Sequence, residues 1–314
     1  MRSLRHSSPI RRLLLSFVLG VGFASAALWA RGVPEERETM VVRYPRSVSS
    51  IPVLALLEDY PEEYDGDFFT DHPQALAQLI TGETDLLVTG FTVGYSRARA
   101  AGDVVHVTTP VWGASAIMAR SGITEIEDLA GTTVYAPFEG SPIDLTLRRI
   151  LDAEGVSEQV EIAYAPFPQA VALLLQGDAD AAVLVEPLAS RLEGEGRAIR
   201  VANLHDAWAP VTGGEPRSPQ VSVFARSDWS REETAGVRRF AARLGGYVQA
   251  VQNDPAGYAE RYAPVLGFSA AIVERAIRNT WFEVPDDETN REIITGYTRE
   301  LSLPPPANGF FLSH

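Results

Sequence analysis

The sequence contains no cysteine and no lysine. The absence of cysteine excludes disulfides, thiolate metal sites, a cysteine nucleophile and a lipid-modified N-terminal cysteine. Without lysine, the chain can form neither a Schiff base nor a lysine-containing phosphate loop. The 27 basic residues are therefore all arginines, and 41 acidic residues bring the formal net charge to −14. Such an acidic chain repels phosphate backbones, which argues against nucleic-acid binding.

Catalytic and metal-binding motifs are also missing. The chain has no Gly-x-Ser-x-Gly, no Gly-x-x-x-x-Gly-Lys-[Ser/Thr] and no Gly-x-Gly-x-x-Gly after its first predicted strand. The histidines beyond the N-terminal segment, such as His72, His106 and His205, are dispersed and form no metal-binding spacing. We therefore expect no catalytic residues, no metal and no cofactor.

The N-terminal segment differs in charge from the rest of the chain. Residues 1–30 contain four arginines and no acid, and the run 13–30 is uncharged and has small residues at 24–27, towards its end. This layout predicts a signal peptide over residues 1–30, although a run of this length could also remain as an uncleaved anchor. Removing it leaves 23 arginines against 41 acids, a net charge of −18. In both cases we expect a periplasmic or otherwise extracytoplasmic protein.

The remaining chain alternates short apolar runs with helical patterns. The run from Met40 to Tyr44 predicts a strand ending at Pro45, and serines before Pro52 predict the start of a helix. The same alternation continues beyond it, with 46% hydrophobic residues overall. Strands linked by helices predict an α/β fold whose mostly parallel sheets are flanked by helices.

Two segments of this pattern repeat. Residues 75–85 match residues 170–180 at an offset of 95, and Pro45 matches Pro137 at an offset of 92. Each copy reads as a helix that ends at a glycine, followed by an acid-x-Asp turn and a strand. The offsets favour two related α/β halves.

Ligands of open α/β sheets bind beyond the carboxyl ends of the strands, where helix N-termini present free N–H groups. The loops 46–50, 89–92, 138–141 and 186–187 lie at such positions. Glu186 ends an apolar strand, so its carboxylate should have a partner, either a ligand donor or a nearby arginine. We expect the ligand-binding residues to be Arg46, Ser49, Ser50, Thr89, Gly90, Phe91, Trp112, Glu139, Gly140, Ser141 and Glu186.

The middle of the chain resembles a known family. Residues 126–134, Pro137, the pair Gly140-Ser141, residues 177–182 and the pair Glu186-Pro187 are similar to motifs of ABC-importer solute-binding proteins. The group in question is the nitrate, sulfonate, taurine and thiamine-precursor type. The resemblance implies a two-lobed periplasmic-binding-protein type II fold that closes on its ligand by hinge motion. It also implies a monomer that works with an ABC permease in the inner membrane.

The resemblance also implies domain boundaries. Residues 41–112 and 219–314 would form lobe 1, and residues 113–218 would form lobe 2. The chain would cross between the lobes near Trp112-Gly113 and near Pro219-Gln220.

The chain departs from the family pattern by one extra residue before Gly140, which brings Glu139 into the loop. If Glu139 faces the cleft, then it and Glu186 would favour a ligand with amine or ring N–H donors. If it faces solvent, the loop amides and Arg46 could instead hold an anion. Of the two alternatives we prefer the first and expect a heteroaromatic or amine-bearing small molecule, such as a vitamin precursor.

Two other functions stay open. One is an enzyme on the same fold, of the menaquinone- or thiamine-pathway type. The other is a membrane-anchored module that senses the same ligand.

Overall fold

The computed structural model describes residues 39–312, which belong to one compact unit. The predicted signal segment, residues 1–30, lies outside the described residues. Between residues 39 and 312, no helix has the length and apolar character needed to cross a membrane.

Eleven strands and twelve α-helices alternate along the described chain. The strands are β1 (Met40–Pro45), β2 (Tyr64–Phe69), β3 (Leu86–Gly90), β4 (Val104–Gly113), β5 (Ser115–Ala119), β6 (Thr133–Ala136), β7 (Glu161–Tyr164), β8 (Ala181–Val185), β9 (Ile199–Asn203), β10 (Val221–Arg226) and β11 (Trp281–Phe282). The helices are α1 (Ile51–Asp59), α2 (His72–Thr81), α3 (Phe91–Ala101), α4 (Pro142–Ala153), α5 (Phe167–Gln176), α6 (Leu188–Gly194), α7 (Leu204–Val211), α8 (Ser227–Glu232), α9 (Thr234–Asn253), α10 (Pro255–Leu266), α11 (Ala270–Arg278) and α12 (Asp287–Glu300).

The strands form two sheets, as the α/β prediction requires. The first sheet has six strands in the order β11-β4-β10-β3-β1-β2, and the second has five in the order β7-β6-β8-β5-β9. Most strands of each sheet run in one direction, as expected, but both sheets are mixed. Strand β10 is antiparallel to β3 and β4, and β5 is antiparallel to β8 and β9. Strand β5 follows the first passage of the chain between the sheets and β10 follows the second. Each is antiparallel to both of its neighbours.

The chain passes between the sheets twice. Strand β4 ends at Gly113 in the first sheet and β5 begins at Ser115 in the second, so only Ala114 separates them. The return leads from α7 through a turn and an irregular segment to β10, which begins at Val221. We refer to residues 113–115 and 218–221 as the two crossover segments. The lobe boundaries given above stay a prediction.

The repeated segments have the same structure in both halves. Helices α2 and α5 end at Gly82 and Gly177, whose φ angles of 81° and 83° lie in the left-handed region that glycine adopts without strain. The aspartate that follows then accepts a hydrogen bond from the backbone of the first strand of its own half. Asp85 accepts from the Val41 N–H at 2.8 Å, and Asp180 accepts from the Thr133 N–H at 3.1 Å. The acid-x-Asp turn therefore fixes the register of each βαβ unit.

The buried side chains form three clusters. One lies between the first sheet and the helices α1, α9, α10 and α11, and a small one lies between the second sheet and α5 and α6. The third contains residues of both sheets, among them Leu87 and Ile117, together with Trp112 and Trp208. Apolar burial therefore continues from one sheet to the other behind the crossover segments.

Candidate functional site

A cavity of about 250 Å³ lies between the two sheets, at the carboxyl ends of β1, β3, β6 and β8. This is the position at which open α/β sheets bind ligands. We call its two sides the first wall and the second wall, after the sheet that supplies them. The first wall consists of Pro45, Arg46, Ser47, Ser49, Phe69, Thr70, His72, Gly90 and Val93. The second wall consists of Pro137, Phe138, Ser141, Pro142, Ile143, Phe167, Val185 and Glu186, and the crossover segments contribute Ala114, Gln220 and Val221.

The first wall carries an unpaired cation. Arg46 follows β1 directly and is exposed, with its guanidinium 4.9 Å from the centre of the Phe68 ring. It forms no ion pair within residues 39–312. A guanidinium that rests on an aromatic face keeps its N–H donors available, so Arg46 can bind a carboxylate, sulfonate or phosphate oxygen.

A neutral histidine lies on the same wall. His72 is the first residue of α2, and its Nδ1 is 2.7 Å from the hydroxyl of the fully buried Thr89. Burial lowers the pKa of His72, and the nearby Asp71 offsets this only in part. The ring packs edge-on against Phe69, with 4.9 Å between the ring centres. His72 therefore adds a polar but uncharged surface at pH 7.

On the second wall, the loop before α4 has its hydrogen-bonding groups occupied. Ser141 caps α4 by accepting from the Asp144 N–H at 3.0 Å, and Asp144 accepts from the Gly140 N–H at 2.8 Å. The buried Asp144 carboxylate also accepts from Arg148 and from the Tyr164 hydroxyl. The Gly140 amide and the buried charge of Asp144 are thus satisfied within the protein, as a capping arrangement requires.

The strand-end carboxylate of the second wall is also paired. Glu186 is only 2% exposed, and its Oε1 accepts from Arg200 Nη2 at 2.8 Å while its Oε2 accepts from the Ser190 N–H at 3.1 Å. Burial raises the pKa of Glu186, and the Arg200 charge acts against that rise. The partner expected for this carboxylate is therefore an arginine of the chain. Arg200 also bonds Glu193 and Asn203, and the network reaches α11, because Asn279 donates to Ser190 and Arg275 pairs with Glu193.

The crossover segments meet between the two walls through one side chain. Gln220 Oε1 accepts from the Ala114 N–H at 2.8 Å and from the Ser115 hydroxyl at 3.0 Å. The Gln220 backbone also donates to the carbonyl of Val111 and accepts from the N–H of Phe91. The glutamine thus joins both crossover segments to the start of α3.

The structure brings five of the predicted ligand-binding residues to the cavity: Arg46, Ser49, Gly90, Ser141 and Glu186. Glu139 and Gly140 are exposed and do not line it. The other four are fully buried behind it and act in the fold: Ser50 donates to the Pro45 carbonyl, Thr89 contacts His72, Phe91 packs among aromatic rings, and the Trp112 indole donates to the Glu283 carbonyl. Phe167, the first residue of α5, also lines the cavity.

The sequence did not predict the part of the first wall that is formed by Phe69, Thr70 and His72. Phe69 ends β2 and the other residues follow it; β2 is an edge strand, Tyr-Asp-Gly-Asp-Phe-Phe, in which only Tyr64 is buried. Because β2 contains two aspartates and a glycine, it lacks the apolar run from which the other strands were predicted. The available signal was Asp71 before Pro73, an N-cap pattern that places residues 69–72 at a helix N-terminus.

The cavity therefore offers binding groups without a recognisable catalytic set. His72 contacts a threonine that does not line the cavity, and no lining serine hydrogen-bonds it within residues 39–312. Among these described residues, no group of three or more histidines or acids is placed to hold a metal ion. The unpaired groups are hydrogen-bond donors, chiefly Arg46, and the rest of the lining is largely aromatic and aliphatic.

Comparisons with known proteins agree with this architecture. A model of the NMT1-like family matches residues 84–250. The aliphatic sulphonate binding protein SsuA of Escherichia coli is 20% identical, with a TM-score of 0.69 over 86% of this chain and 95% of that one. The alkanesulfonate-binding protein of Xanthomonas axonopodis pv. citri, bound to MOPS, is 22% identical, with a TM-score of 0.68 over 86% and 96%.

A third similar structure is the zinc-bound ligand-binding component of an ABC-type import system from Staphylococcus aureus. It is 14% identical, with a TM-score of 0.72 over 88% of this chain and 97% of that one. No curated protein matches the chain. At these identities the similar structures establish the fold, which is that of the periplasmic binding proteins and confirms the predicted fold class.

Proposed function

The chain belongs to the NMT1-like family, and from that premise we propose that it is an extracytoplasmic protein that captures a small organic solute for an ABC importer. The observation that carries the proposal is the cavity itself. Both sheets contribute to it at their strand ends, and the two crossover segments lie between its walls. Closure of the two sides about these segments would enclose a solute and create the form that a permease recognises.

The ligand that these walls suit best has an apolar or aromatic body and an oxygen acceptor group. Phe69, Phe138 and Phe167 offer ring surfaces for the body, and Arg46 is the unpaired charge on the lining. An amine-bearing ligand has less support, since Glu139 does not line the cavity and Glu186 is paired with Arg200. We therefore favour the anion or neutral acceptor alternative, with Arg46 rather than loop amides as its binding group.

Binding without catalysis is favoured over an enzyme on the same fold. Hydrolysis or group transfer needs a nucleophile and a base within reach of one another. The lining histidine instead contacts Thr89, behind the cavity. A membrane-anchored sensor would use the same cavity, and the N-terminal sequence of the secreted protein separates it from a released carrier.

The test is binding followed by recovery of the ligand. Because one similar structure holds MOPS, we choose MOPS, benzenesulfonate and the neutral methyl phenyl sulfone as probes, with benzylamine as the amine counterpart. We expect at least one acceptor-bearing probe to raise the melting temperature and to be recovered unchanged by mass spectrometry. Conversion of a bound probe to a product would favour the enzyme, and failure of all three acceptor probes would refute the proposed ligand class.

A further inference from the structure

One polar side chain on the cavity lining has a donor group that the fold does not use. Gln220 is 9% exposed, yet only its carboxamide oxygen and its backbone groups have hydrogen-bond partners among residues 39–312. Its Nε2 is not among the fully enclosed side-chain atoms that lack a partner. Because this nitrogen remains accessible, its two unused N–H donors are available to an acceptor, either water or a bound solute.

The hydrogen bonds of the crossover segments fix which way this amide points. The Ala114 backbone N–H lies next to the Gln220 carboxamide. Because this N–H can only donate, the carboxamide atom that faces it must be the oxygen. The Ser115 hydroxyl approaches the same oxygen at 3.0 Å. With the oxygen held by two donors of the first crossover segment, the NH2 group is the end left to face the space around Gln220. Gln220 lines the cavity of about 250 Å³ and also a second space beside Ser218 and Pro219, which has no room for a ligand.

We propose that Gln220 is a ligand-binding residue whose side-chain NH2 donates to an oxygen acceptor of the solute, while its carbonyl oxygen joins the two crossover segments. The proposal rests on the solute-binding function argued above and deepens it. It places a neutral donor between the two walls, so the acceptor group of the ligand would bind at the crossover segments.

The same hydrogen bonds give the residue a second role. A solute that accepts from Gln220 orders a side chain that already holds Ala114 and Ser115 on one crossover segment and Val111 and Phe91 through its backbone. Occupancy of the cavity is thereby linked to the geometry of both crossovers, which are the segments about which closure would occur. A purely structural glutamine would provide these contacts without selecting a ligand.

The discriminating variant is Gln220→Glu. It keeps an oxygen acceptor for Ala114 and Ser115 but replaces the cavity-facing donor with a second acceptor. By calorimetry, we expect the variant to bind methyl phenyl sulfone about 10- to 100-fold more weakly, because a lost hydrogen bond and an unpaired acceptor both penalise this probe. Benzylamine, which supplies donors, should bind more tightly than it does to the unmodified protein. A merely structural role would not reverse this preference.

The matched control is Gln252→Glu, on α9. The Gln252 side chain donates to the Phe282 carbonyl at 2.7 Å and does not line the cavity. The same chemical change there should leave the affinities for both probes within about twofold. Equal losses in the two variants, or an unchanged sulfone affinity in Gln220→Glu, would overturn the assignment of Gln220 while leaving the solute-binding function intact.

A second measurement covers the case in which Gln220→Glu does not fold. In the unmodified protein, the side-chain NH2 resonances of Gln220 should shift on titration with methyl phenyl sulfone, and those of Gln252 should not. Shifts absent at Gln220 in the presence of saturating probe would refute the proposal. If no acceptor probe binds the unmodified protein at all, the proposed ligand class fails first and the assignment of Gln220 fails with it.

Discussion

The two walls of the cavity use their polar groups differently. On the first wall, Arg46 stands without an ion pair within residues 39–312. On the second wall, the Glu186 carboxylate and the loop before α4 are bound by Arg200 and Asp144, respectively. Both halves derive from the same βαβ pattern, yet one presents charge to the cavity and the other neutralises it internally. We therefore propose that the first wall and the crossover segments bind the polar part of a ligand, and that the second wall covers its body.

The largest effect should come from breaking the internal pairing of the second wall. Replacing Arg200 by methionine leaves Glu186 buried without its countercharge, so we expect the free energy of unfolding to fall by about 3 kcal/mol. Denaturant titration measures the loss. The control is Arg120→Met in the same sheet, which removes an exposed pair with Asp180 and should cost under about 1 kcal/mol. Equal, small losses in both variants would show that Glu186 does not depend on Arg200 and is open to a ligand.

The next effect should appear on the first wall, in binding rather than stability. Arg46→Gln should weaken benzenesulfonate binding by about 10- to 100-fold, because a hydrogen bond to a charged group contributes about 1.5–3 kcal/mol. Since Arg46 is exposed, thermal stability should hardly change.

The control for this change is Arg148→Gln, since Arg148 is held by Asp144 and Tyr164 and does not line the cavity. Calorimetric titration of both variants gives the comparison. A stronger loss in Arg148→Gln than in Arg46→Gln would place anion recognition near the second wall and reverse the assignment of the two walls.

A smaller effect should follow from removing the aromatic cover of the second wall. Phe138 lines the cavity and is 43% exposed. Its replacement by alanine should weaken benzenesulfonate and methyl phenyl sulfone alike, by about three- to tenfold, since an aromatic contact contributes about 0.5–1.5 kcal/mol. Parallel calorimetry on the two probes checks this. A loss of affinity for benzenesulfonate alone would mean that the second wall also contributes to binding of the charged group.

The smallest effect should be a pH dependence located on the first wall. Burial lowers the pKa of His72 below its usual 6.5, so the ring is neutral at pH 7. The ring becomes charged only when the pH falls to the lowered pKa. Its protonation adds positive charge to the cavity lining, so benzenesulfonate should bind about two- to fivefold more tightly once the pH is low enough to charge the ring than it does at pH 7.5. His72→Gln should abolish the increase. An increase that persists in this variant would locate the titrating group elsewhere.

The sequence predicted the parts of the fold that depend on local chemistry. Pro52 at the start of α1 and the glycines that end α2 and α5 all stand where the pattern placed them. These features were predictable because caps and left-handed glycines depend on neighbours within a few residues.

Features that depend on distant partners could not be read in the same way. The acidic edge strand β2 gives no apolar run, so the wall that follows it was missed. The antiparallel directions of β5 and β10 depend on the path between the sheets and not on their own residues. For Glu186 the need for a partner was predictable from burial, but the choice of Arg200 over a ligand depends on how β9 packs beside α6.

The most direct test of the contrast between the walls is the affinity ratio of two probes that share a ring and differ in the charge of the head group. Calorimetric titration of the unmodified protein at pH 7.5 with benzenesulfonate and benzylamine provides it. With Arg46 unpaired and Glu186 neutralised, benzenesulfonate should bind at least about 30-fold more tightly. Benzylamine binding as tightly as benzenesulfonate, or more tightly, would contradict the account.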